Sequence, residues 1–526
     1  MKSNNNIFKY IFIIFIIGLI IGAVYILYYS KNKKNTESAE SENNIQSTSE
    51  NISVVENMKM GISNYDTMNP LLTKNKEIVN LDKLIFEPLI NITSNFHTEM
   101  CLAKSCTKKT DTSYEIKVDT SNKWQDGTSV ISKDVQFTIY KLKEINSIYS
   151  DNVKFIQSVD ATDSEIAIIN LSQEVPFFEY NLTFPLLSSS YYMNEDFINS
   201  NKIPIGTGVY KIASINDDNV FLIRNDRWRD IKSNTPKTQS ITIHKYVSIG
   251  EMFNSFKLGN IDIINTMMPN YSDYVGTMGY NKKEYTGREY EYLSFNCNDI
   301  ILSDASVRKA INYAINKQNI VSTIFNNSKI VANSPLDYGN YLYNDKNIIK
   351  YNSETAKKTL EDGGWVFASN KWQKNINGYV KKLNLSLVVS KDNEERVNVA
   401  NEIKDQLSDI GININIVKVS NEKYYEYLNS KDYQIILTGI TNSINPDLSY
   451  FYGSGNIANY NNENIISKIK SLDNFEEIQK TVDEEVPYIG LYRNKGTLIL
   501  NANVGGEFIP NNFCMYYNFY KWFRQQ

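Results

Sequence analysis

The apolar residues of the chain form one unbroken run near the N-terminus and many short periodic stretches after residue 54. Tyr10–Tyr29 is uncharged and almost wholly apolar over 20 residues. A helix of that length, at about 1.5 Å per residue, spans roughly 30 Å, the thickness of the hydrocarbon core of a bilayer. We therefore expect residues 1–34 to be an uncleaved membrane anchor with the body of the chain outside the cell; a cleaved signal peptide is the alternative. Residues 35–53 are mostly Ser, Asn and Glu, which predicts a flexible polar linker.

Strands and helices alternate in the second half of the chain. Residues 383–390 alternate between apolar and polar like a half-buried strand. Apolar residues across 397–410 then recur every three or four positions, the pattern of one helix face, and Gly411 stands where a helix ends. A strand at 412–417, a short helix and a strand at 433–440 follow. This succession predicts βαβ units on a largely parallel sheet.

Two further helices and a β-rich region are indicated. Asp304 is a candidate N-cap for a helix over 306–315, and Ser353 for a helix that stops at 363–364. Residues 90–200 contain short apolar runs and turns with few helical periods, which predicts a mainly β insertion. The body is therefore expected to be α/β with a β-rich part.

Charge and aromatic content narrow the class of protein. Of the 526 residues 12% are aromatic, which is incompatible with a mostly disordered chain. The net charge is −4, and because the first 34 residues carry five lysines and no acid, the rest of the chain carries −9. An acidic body is a poor partner for phosphate backbones, so we expect no nucleic-acid partner.

Residues that commonly carry catalysis or metal binding are scarce. The two histidines, His97 and His244, are far apart in sequence and exclude a zinc site of three histidines. The four cysteines form no CxxC motif; Cys101 and Cys106 are close enough to bridge if the backbone allows it, which the sequence leaves open. No nucleophile elbow, zincin, phosphate-loop or dinucleotide motif is present. We expect a protein that is not an enzyme, with no cofactor and no metal.

A series of short motifs occurs in one order from about Met58 to about Val504. They are Tyr65–Pro70, Leu84–Ile90, Trp124–Gly127, Lys133–Thr138, Pro204–Tyr210, Arg224–Trp228, Phe295–Asn296, Ser306–Ala310, Asn312–Ile315, Ala356–Trp365 and Ile403–Ile416. Each match is weak alone, but their shared order makes the combination strong. The chain resembles the family 5 solute-binding proteins of bacterial ABC importers, the dipeptide-, oligopeptide- and nickel-binding group.

The resemblance implies a periplasmic-binding-protein-like fold of two lobes, of type II, with an extra β-rich insertion domain, behind the one N-terminal transmembrane helix. On this basis lobe I comprises 54–285, including the insertion, and lobe II comprises 286–489. Residues 490–526 return to lobe I. A ligand would bind in the cleft between the lobes and be enclosed by a hinge motion near the two crossing segments, 285–292 and 485–493.

The loop Gly439–Pro446 departs from the pattern of the peptide-binding members. Those proteins often carry a Gly-Trp pair, then an aspartate that pairs with the ammonium of the peptide, then Asp-Pro. Here Ile440 replaces the tryptophan and Asn445 replaces the aspartate before proline. The ammonium-binding position falls on Ser443 or on Asn442, depending on the alignment, and neither is charged. Asp447 could substitute if the loop is reshaped.

Three consequences of this departure stay open. The protein could still bind peptides through backbone contacts, take a different class of ligand, or have lost ligand binding. The candidate ligand-binding residues are Thr67, Met68, Asn296, Ile440, Thr441, Asn442, Ser443, Asn445, Asp447 and Tyr460.

The sequence favours a membrane-tethered extracellular receptor for a peptide or other small solute. Its partners would be the permease subunits of an ABC importer, with cytoplasmic ATPases behind them, and the membrane through the N-terminal helix. A sensor of extracellular peptides that does not transport is the alternative, as is a family member with a non-peptide ligand. A secreted hydrolase is disfavoured because nucleophile motifs are missing.

Overall fold

A computed structural model describes residues 54–268, 271–273, 275, 279–344, 348–471 and 474–525. Residues Val55–Arg524 form one compact unit, and the fold below is that of this unit. None of the helices in the described ranges is long and apolar enough to cross a bilayer. The predicted membrane helix, Tyr10–Tyr29, and the linker at 35–53 lie outside the described residues.

The described residues contain strands and helices with the following bounds. Strands β1 to β12 are Val54–Val55, Asn57–Ser63, Ile90–Ile92, Thr98–Met100, Ala103–Thr110, Ser113–Val118, Ile156–Asp160, Ile166–Leu171, Tyr210–Ile215, Asn219–Arg224, Ser240–Tyr246 and Ile263–Thr266. Strands β13 to β23 are Tyr280–Phe295, Lys329–Val331, Val366–Ala368, Lys371–Ile376, Tyr379–Lys382, Asn384–Ser390, Asn413–Val419, Ile435–Thr441, Tyr488–Asn501, Val504–Gly505 and Phe523–Gln525. Helices α1 to α12 are Lys76–Asp82, Ser132–Glu144, Ser150–Val153, Ile249–Lys257, Ala305–Ala314, Lys317–Phe325, Ser353–Asp362, Glu394–Ser408, Asn421–Ser430, Ser449–Tyr452, Glu463–Lys468 and Phe475–Glu485.

One mixed sheet runs through the molecule. Its strands are ordered β19-β18-β20-β13-β21-β12-β2-β11-β10-β9, with β14 beside β21. The two long central strands, β13 and β21, pair antiparallel from Tyr280 opposite Asn501 to Ser294 opposite Tyr488. One end of this pair, with Tyr285, Leu498 and Leu500, belongs to one hydrophobic core, and the other end, with Leu293 and Ile489, belongs to a second core, so both strands run from one core to the other.

Each lobe has its own hydrophobic core. The core of lobe I is drawn from residues between Met58 and Tyr285 and between Leu498 and Trp522. The core of lobe II is drawn from residues between Leu293 and Tyr492. A third, largely aromatic cluster mixes residues of the two lobes, among them Phe96, Phe177, Tyr180, Tyr338 and Phe475.

Local sequence signals predicted seven elements of lobe II, namely α5, α7, β18, α8, β19, α9 and β20. Strand β18 pairs in parallel with β19 and with β20, which confirms the predicted βαβ units. The prediction of a largely parallel sheet is wrong, because β13 pairs antiparallel with both β20 and β21, and β12 pairs antiparallel with β21. Helix α5 begins after Asp304, whose side chain accepts a hydrogen bond from the backbone N–H of Ser306. The prediction that Ser353 caps α7 is wrong by one residue. The cap is Asn352, whose longer side chain accepts from the N–H of Thr355, and Ser353 is the first residue of the helix.

The region 90–200 contains both sheet and helix. Strands β5, β6, β8 and β7 form a separate antiparallel sheet in that order. Helix α2, Ser132–Glu144, packs its buried Val135, Ile139 and Leu142 into the core of lobe I, and a description as mainly β omits it. Asp134 starts this helix by accepting the backbone N–H of Ile131 at 2.9 Å.

Candidate functional site

A cavity of about 1240 Å3 lies between the two lobes. Lobe I contributes residues along α1 and on both sides of it, and the segments at 148–155, 175–183, 265–268 and 512–515. Lobe II contributes the loop at 441–450. The cavity is larger than the roughly 300–1,000 Å3 typical of small-molecule sites, so it has room for a ligand of several residues.

A β-bulge in the crossing strand β13 opens into this cavity. Between the pairs Thr286–Lys495 and Tyr290–Arg493, three residues of β13 face a single residue of β21. All three residues of the bulge, Gly287 to Glu289, line the cavity. A bulge of this kind re-aims a side chain that regular pairing would hold in the sheet.

Gly287 makes the bulge sterically permissible. A Cβ atom at position 287 would lie 2.9 Å from the carbonyl oxygen of Asn494, closer than real Cβ contacts allow. The next residue, Arg288, donates from Nη1 to the carbonyl oxygen of Asn442 at 3.1 Å, and its own carbonyl accepts the N–H of Asn442. The bulge and the lobe II loop therefore hold each other in place and position a guanidinium in the cavity wall.

A second cation, Lys83, lies in the wall on the lobe I side. Its ammonium stands 3.1 Å from the ring centroid of Phe513, a cation–π contact. Burial is the main cause that lowers the pKa of Lys83, to about 8; the neighbouring charge of Arg288 lowers it further, against the opposing effect of Cys514. Burial also lowers the pKa of Arg288.

The acidic residues of the cavity are engaged within the protein. Glu77 accepts the backbone N–H of Ser63 at 2.6 Å, and burial raises the pKa of its carboxyl. Asp447 accepts the N–H and the hydroxyl of Ser449, the first residue of α10. Asp151 and Glu289 pair with exposed lysines, Lys154 and Lys76, at 3.6 and 4.0 Å.

Aromatic and aliphatic side chains form the remaining walls. Burial raises the pKa of Tyr149 and that of Tyr285 above the ordinary value of a phenol, so both phenols are neutral at physiological pH. Such rings can stack on planar groups of a ligand while a hydroxyl supplies a hydrogen bond. The apolar and aromatic lining includes Ile148, Tyr149, Phe155, Val175, Tyr180, Tyr285, Tyr450 and Phe513.

The structure brings part of the predicted loop to the cavity. Thr441, Ser443, Asn445 and Asp447 line it. Asn442 is buried and accepts a hydrogen bond from Arg493 at 2.9 Å, while Arg493 forms a buried ion pair with Asp337.

The other predicted site residues lie outside the lining. Met68 is buried in the core of lobe I, and Thr67 accepts the N–H of Asn69. Asn296 bonds to the backbone of Lys431, and its side chain accepts from Asn459. Tyr460 donates to Glu485. Ile440 packs against the aromatic cluster between the lobes.

Sequence reasoning did not single out Lys83 or Arg288. One signal was available for Arg288, because a glycine inside a strand pattern often marks a bulge, and Gly287 immediately precedes it. Lys83 interrupts the run Leu81–Ile90, which is otherwise mostly apolar.

His97 and His244 are not among the lining residues, and all four cysteines are free thiols. Within the described residues no group of three His, Cys, Asp or Glu is placed to hold a metal ion.

Comparison with known proteins identifies the class. A profile of the family described as "Bacterial extracellular solute-binding proteins, family 5 Middle" matches residues 98–462, which is more than half of the chain. The oligopeptide-binding protein AppA of Bacillus subtilis is 22% identical over 492 residues, covering 86% of this chain and 89% of AppA. The nickel-binding periplasmic protein of Escherichia coli is 22% identical over 277 residues, covering 50% of this chain and 51% of that protein.

Solved structures agree on the fold. HbpA2 from Haemophilus parasuis superposes with a TM-score of 0.74 at 17% identity, covering 89% of this chain and all of HbpA2 (100%). This likeness confirms the predicted mixed α/β, two-lobed fold of periplasmic binding proteins. The chain belongs to the family 5 bacterial extracellular solute-binding proteins, which are binding proteins and not enzymes.

Proposed function

We propose that this protein captures a peptide or peptide-like ligand between its two lobes and delivers it to the permease subunits of an ABC importer. The observation that carries this proposal is the cavity itself, of about 1240 Å3, walled by both lobes and by the crossing strand β13. Its lining combines tyrosines with backbone and amide groups, which suits an extended chain of peptide units. The similarity to a protein named for oligopeptide binding supports the same ligand class.

We further propose that the body is tethered to the outer face of the cell membrane. Tyr10–Tyr29 would be the single-pass anchor and residues 35–53 the linker, with lobe limits at 54–285, 286–489 and 490–526. An apolar helix of this length holds a protein far more firmly than charge attraction does. The native protein should therefore stay with membranes after a high-salt wash; recovery as a soluble protein that begins near residue 30 would contradict the anchor.

The ten predicted residues enter this proposal in two groups. Thr441, Ser443, Asn445 and Asp447 would contact the ligand directly, because they line the cavity. The remaining six, buried or bonded elsewhere, would act on the ligand only through the residues that they support.

The ligand class is tested by the molecules that the protein carries. The full chain is purified in mild detergent and unfolded in acid, and the released small molecules are identified by mass spectrometry. Peptides recovered in near-stoichiometric amounts support the proposal. Delivery is tested next: a strain without the protein should lose uptake of the identified ligand, whereas unchanged uptake would favour the sensor alternative.

A chelated metal complex is the second candidate ligand. The similarity to a nickel-binding periplasmic protein favours it, and the cavity offers cationic groups that suit an anionic chelator better than a bare cation. Metal analysis of the same purified chain decides between the two, because the peptide proposal expects no stoichiometric nickel.

A further inference from the structure

Strands β15, β16 and β17 form a small antiparallel sheet in lobe II that pairs with no other strand of the described chain. One face of this sheet covers lobe II. On that face Trp372 is buried and donates from Nε1 to the carbonyl oxygen of Ile410 at 2.7 Å, and Ile376 packs against the core of lobe II. Because successive residues of a strand point to opposite faces, the other face of the sheet points away from lobe II.

The face that points away, here called the outer face, is exposed and partly apolar. The strand register places Val366 opposite Gln373, and Gln373 opposite Lys382. Lys371 and Val380 share this face, because each lies two residues from one of these positions along its strand. Val366 and Val380 are 61% and 63% exposed, and both lysines are exposed as well. The outer face therefore presents two valines and two ammonium groups to the solvent.

The sheet is cationic in an acidic molecule. Residues 366–382 contain four lysines and no acidic residue, whereas the chain after residue 34 carries −9. Lys374, on the face toward lobe II, pairs with Asp304 at 2.8 Å. Lys371 and Lys382 form no ion pair with any carboxylate among the described residues. Their charges are therefore available to an anionic partner.

The combination of lysines and exposed valines suits an anionic lipid surface. Lysine side chains are attracted to anionic headgroups, and apolar side chains beside them reach the boundary of the acyl chains. A soluble polyanion would use the two charges but leave the two valines in water. The outer face therefore favours a bilayer over a polyanion.

We propose that the outer face of the β15–β17 sheet docks lobe II on the anionic lipid headgroups of the membrane to which the protein is tethered. This inference goes beyond the proposed ligand and draws on the proposed tether. A tether raises the effective concentration of the membrane at the protein, so a weak contact is enough. Docking would orient the body, which a flexible linker alone leaves free to rotate.

The test uses residues 54–526, because the anchor would bind any vesicle by itself and because these residues contain both hydrophobic cores. Residues 35–53 contain four glutamates and no base, so residues 54–526 carry −5. A protein of this net charge is repelled by anionic vesicles unless a local cationic surface binds them. Binding to anionic vesicles is therefore diagnostic of such a surface.

Co-sedimentation compares vesicles of equal parts phosphatidylglycerol and phosphatidylcholine with vesicles of phosphatidylcholine alone. We expect at least tenfold stronger partitioning onto the anionic vesicles at low salt. The preference should vanish at about 1 M NaCl, where the Debye length is about 3 Å. Equal partitioning onto the two kinds of vesicle at low salt would overturn the proposal and leave a protein as the partner of the face.

Matched charge variants locate the contact. Lys371→Glu combined with Lys382→Glu should lower partitioning onto the anionic vesicles at least tenfold. Lys117→Glu combined with Lys133→Glu changes the net charge equally at exposed positions of lobe I and should stay within about threefold of wild type. The melting temperature of each variant verifies that it folds. Retained binding in the first variant, or equal loss in both, would overturn the proposal.

A third variant distinguishes a membrane from a soluble polyanion. Val366→Thr combined with Val380→Thr keeps both side chains β-branched and removes two methyl groups from the outer face. It should lower partitioning onto the anionic vesicles at least threefold and leave binding to polyphosphate unchanged. Wild-type partitioning of this variant would overturn the membrane as the partner. Failure of docking leaves the ligand and the anchor untouched, because ligand release and the membrane wash test those separately.

Discussion

A single amide, that of Asn445, joins the lobe II loop to lobe I. Its Nδ2 donates to the carbonyl oxygens of Pro176 and Phe177 at 2.9 and 3.3 Å, and to Oδ1 of Asn181 at 3.0 Å. Its Oδ1 accepts the N–H of Asp447. An aspartate at position 445 would still accept the N–H of Asp447, but its negative charge would face the three oxygen atoms that now accept from Nδ2. This arrangement explains why an asparagine stands at position 445.

Asn445→Asp should therefore destabilise the contact between the lobes. We expect the free energy of unfolding to fall by about 1–3 kcal/mol, because three acceptors lose their donor. Urea unfolding at pH 7.5 measures the loss. Asn375→Asp, an exposed change in β16, is the matched control and should stay within about 0.5 kcal/mol of wild type; equal behaviour of the two variants would contradict the assigned role.

Asp82 is a buried acid at the end of α1 with no hydrogen-bond partner for either carboxylate oxygen among the described residues. Burial raises the pKa of Asp82 well above its ordinary value of 3.8, and nearby Asp66 adds to the shift. Above pH 3.8 the unfolded chain has released the proton that the folded chain still holds. The free energy of unfolding therefore falls as the pH rises through this window.

Asp82→Asn should remove this loss. The stability difference between the variant and the wild type should grow in favour of the variant by at least about 1 kcal/mol between pH 4.5 and pH 7.5. Urea unfolding at the two pH values measures it, and groups common to both proteins cancel in the difference. Asp217→Asn, an exposed control, should show no growth; a constant difference for Asp82→Asn would mean that the carboxyl is ionised in the folded protein.

At the scale of elements, the sequence predicts what is encoded locally. Helix α5 could be predicted because its cap, Asp304, and its apolar stripe lie within a dozen residues. Helix α2 carried a similar signal in Val135, Ile139 and Leu142 but lies among short strands, where the surrounding β pattern obscured it. The bulge at 287–289 could not be placed, because it depends on the register of β13 against β21, some 200 residues away in the chain.

The conformation of the loop at 441–447 also could not be predicted from nearby residues. Sequence comparison alone could not decide whether position 442 or 443 faces the ligand, because the choice depends on where the loop is shortened. The structure places Ser443 in the cavity and turns Asn442 toward Arg493. The two positions now make a matched pair for experiment.

Ser443→Asp should create a charged partner for the ammonium group of a peptide. We expect free-amine peptides to gain about tenfold in affinity over their N-acetylated forms, since a charge-assisted hydrogen bond is worth roughly 1.5–3 kcal/mol before its costs. In the wild type acetylation should change affinity by less than about tenfold. Isothermal titration with free and acetylated forms of a recovered peptide measures both.

Asn442→Asp is the control, because its side chain faces Arg493 and not the cavity. It should leave the ratio between free and acetylated peptides as in the wild type. A hundredfold loss on acetylation in the wild type would show that another acid already binds the amine, and Asp447, which lines the cavity, would be the first to examine.

At the scale of the whole molecule, contacts beside the crossing strands determine how firmly the lobes meet. Tyr341 of lobe II stacks on His97 of lobe I with ring centroids 3.5 Å apart. Its hydroxyl lies 3.3 Å from that of Tyr180, and its N–H donates to the carbonyl oxygen of Asn95. Phe177 and Phe475 meet edge to face at 5.9 Å. These contacts exist only while the lobes are together, so they contribute to the equilibrium between open and closed states.

Tyr341→Ala should shift this equilibrium toward the open state. The stacked pair is worth about 0.5–1.5 kcal/mol beyond its buried area, so the affinity for a recovered peptide should fall by roughly two- to tenfold. Small-angle scattering of residues 54–526 should show a radius of gyration that decreases when the wild type is saturated. The variant should need more peptide for the same decrease and reach the same final value, because its closed state keeps the crossing strands and the cavity.

Tyr379→Ala, at a side chain 72% exposed on β17, is the control and should titrate like the wild type. A radius of gyration that is unchanged at saturation would contradict closure on the ligand, and an unshifted titration for Tyr341→Ala would remove the stacked pair from the closing contacts.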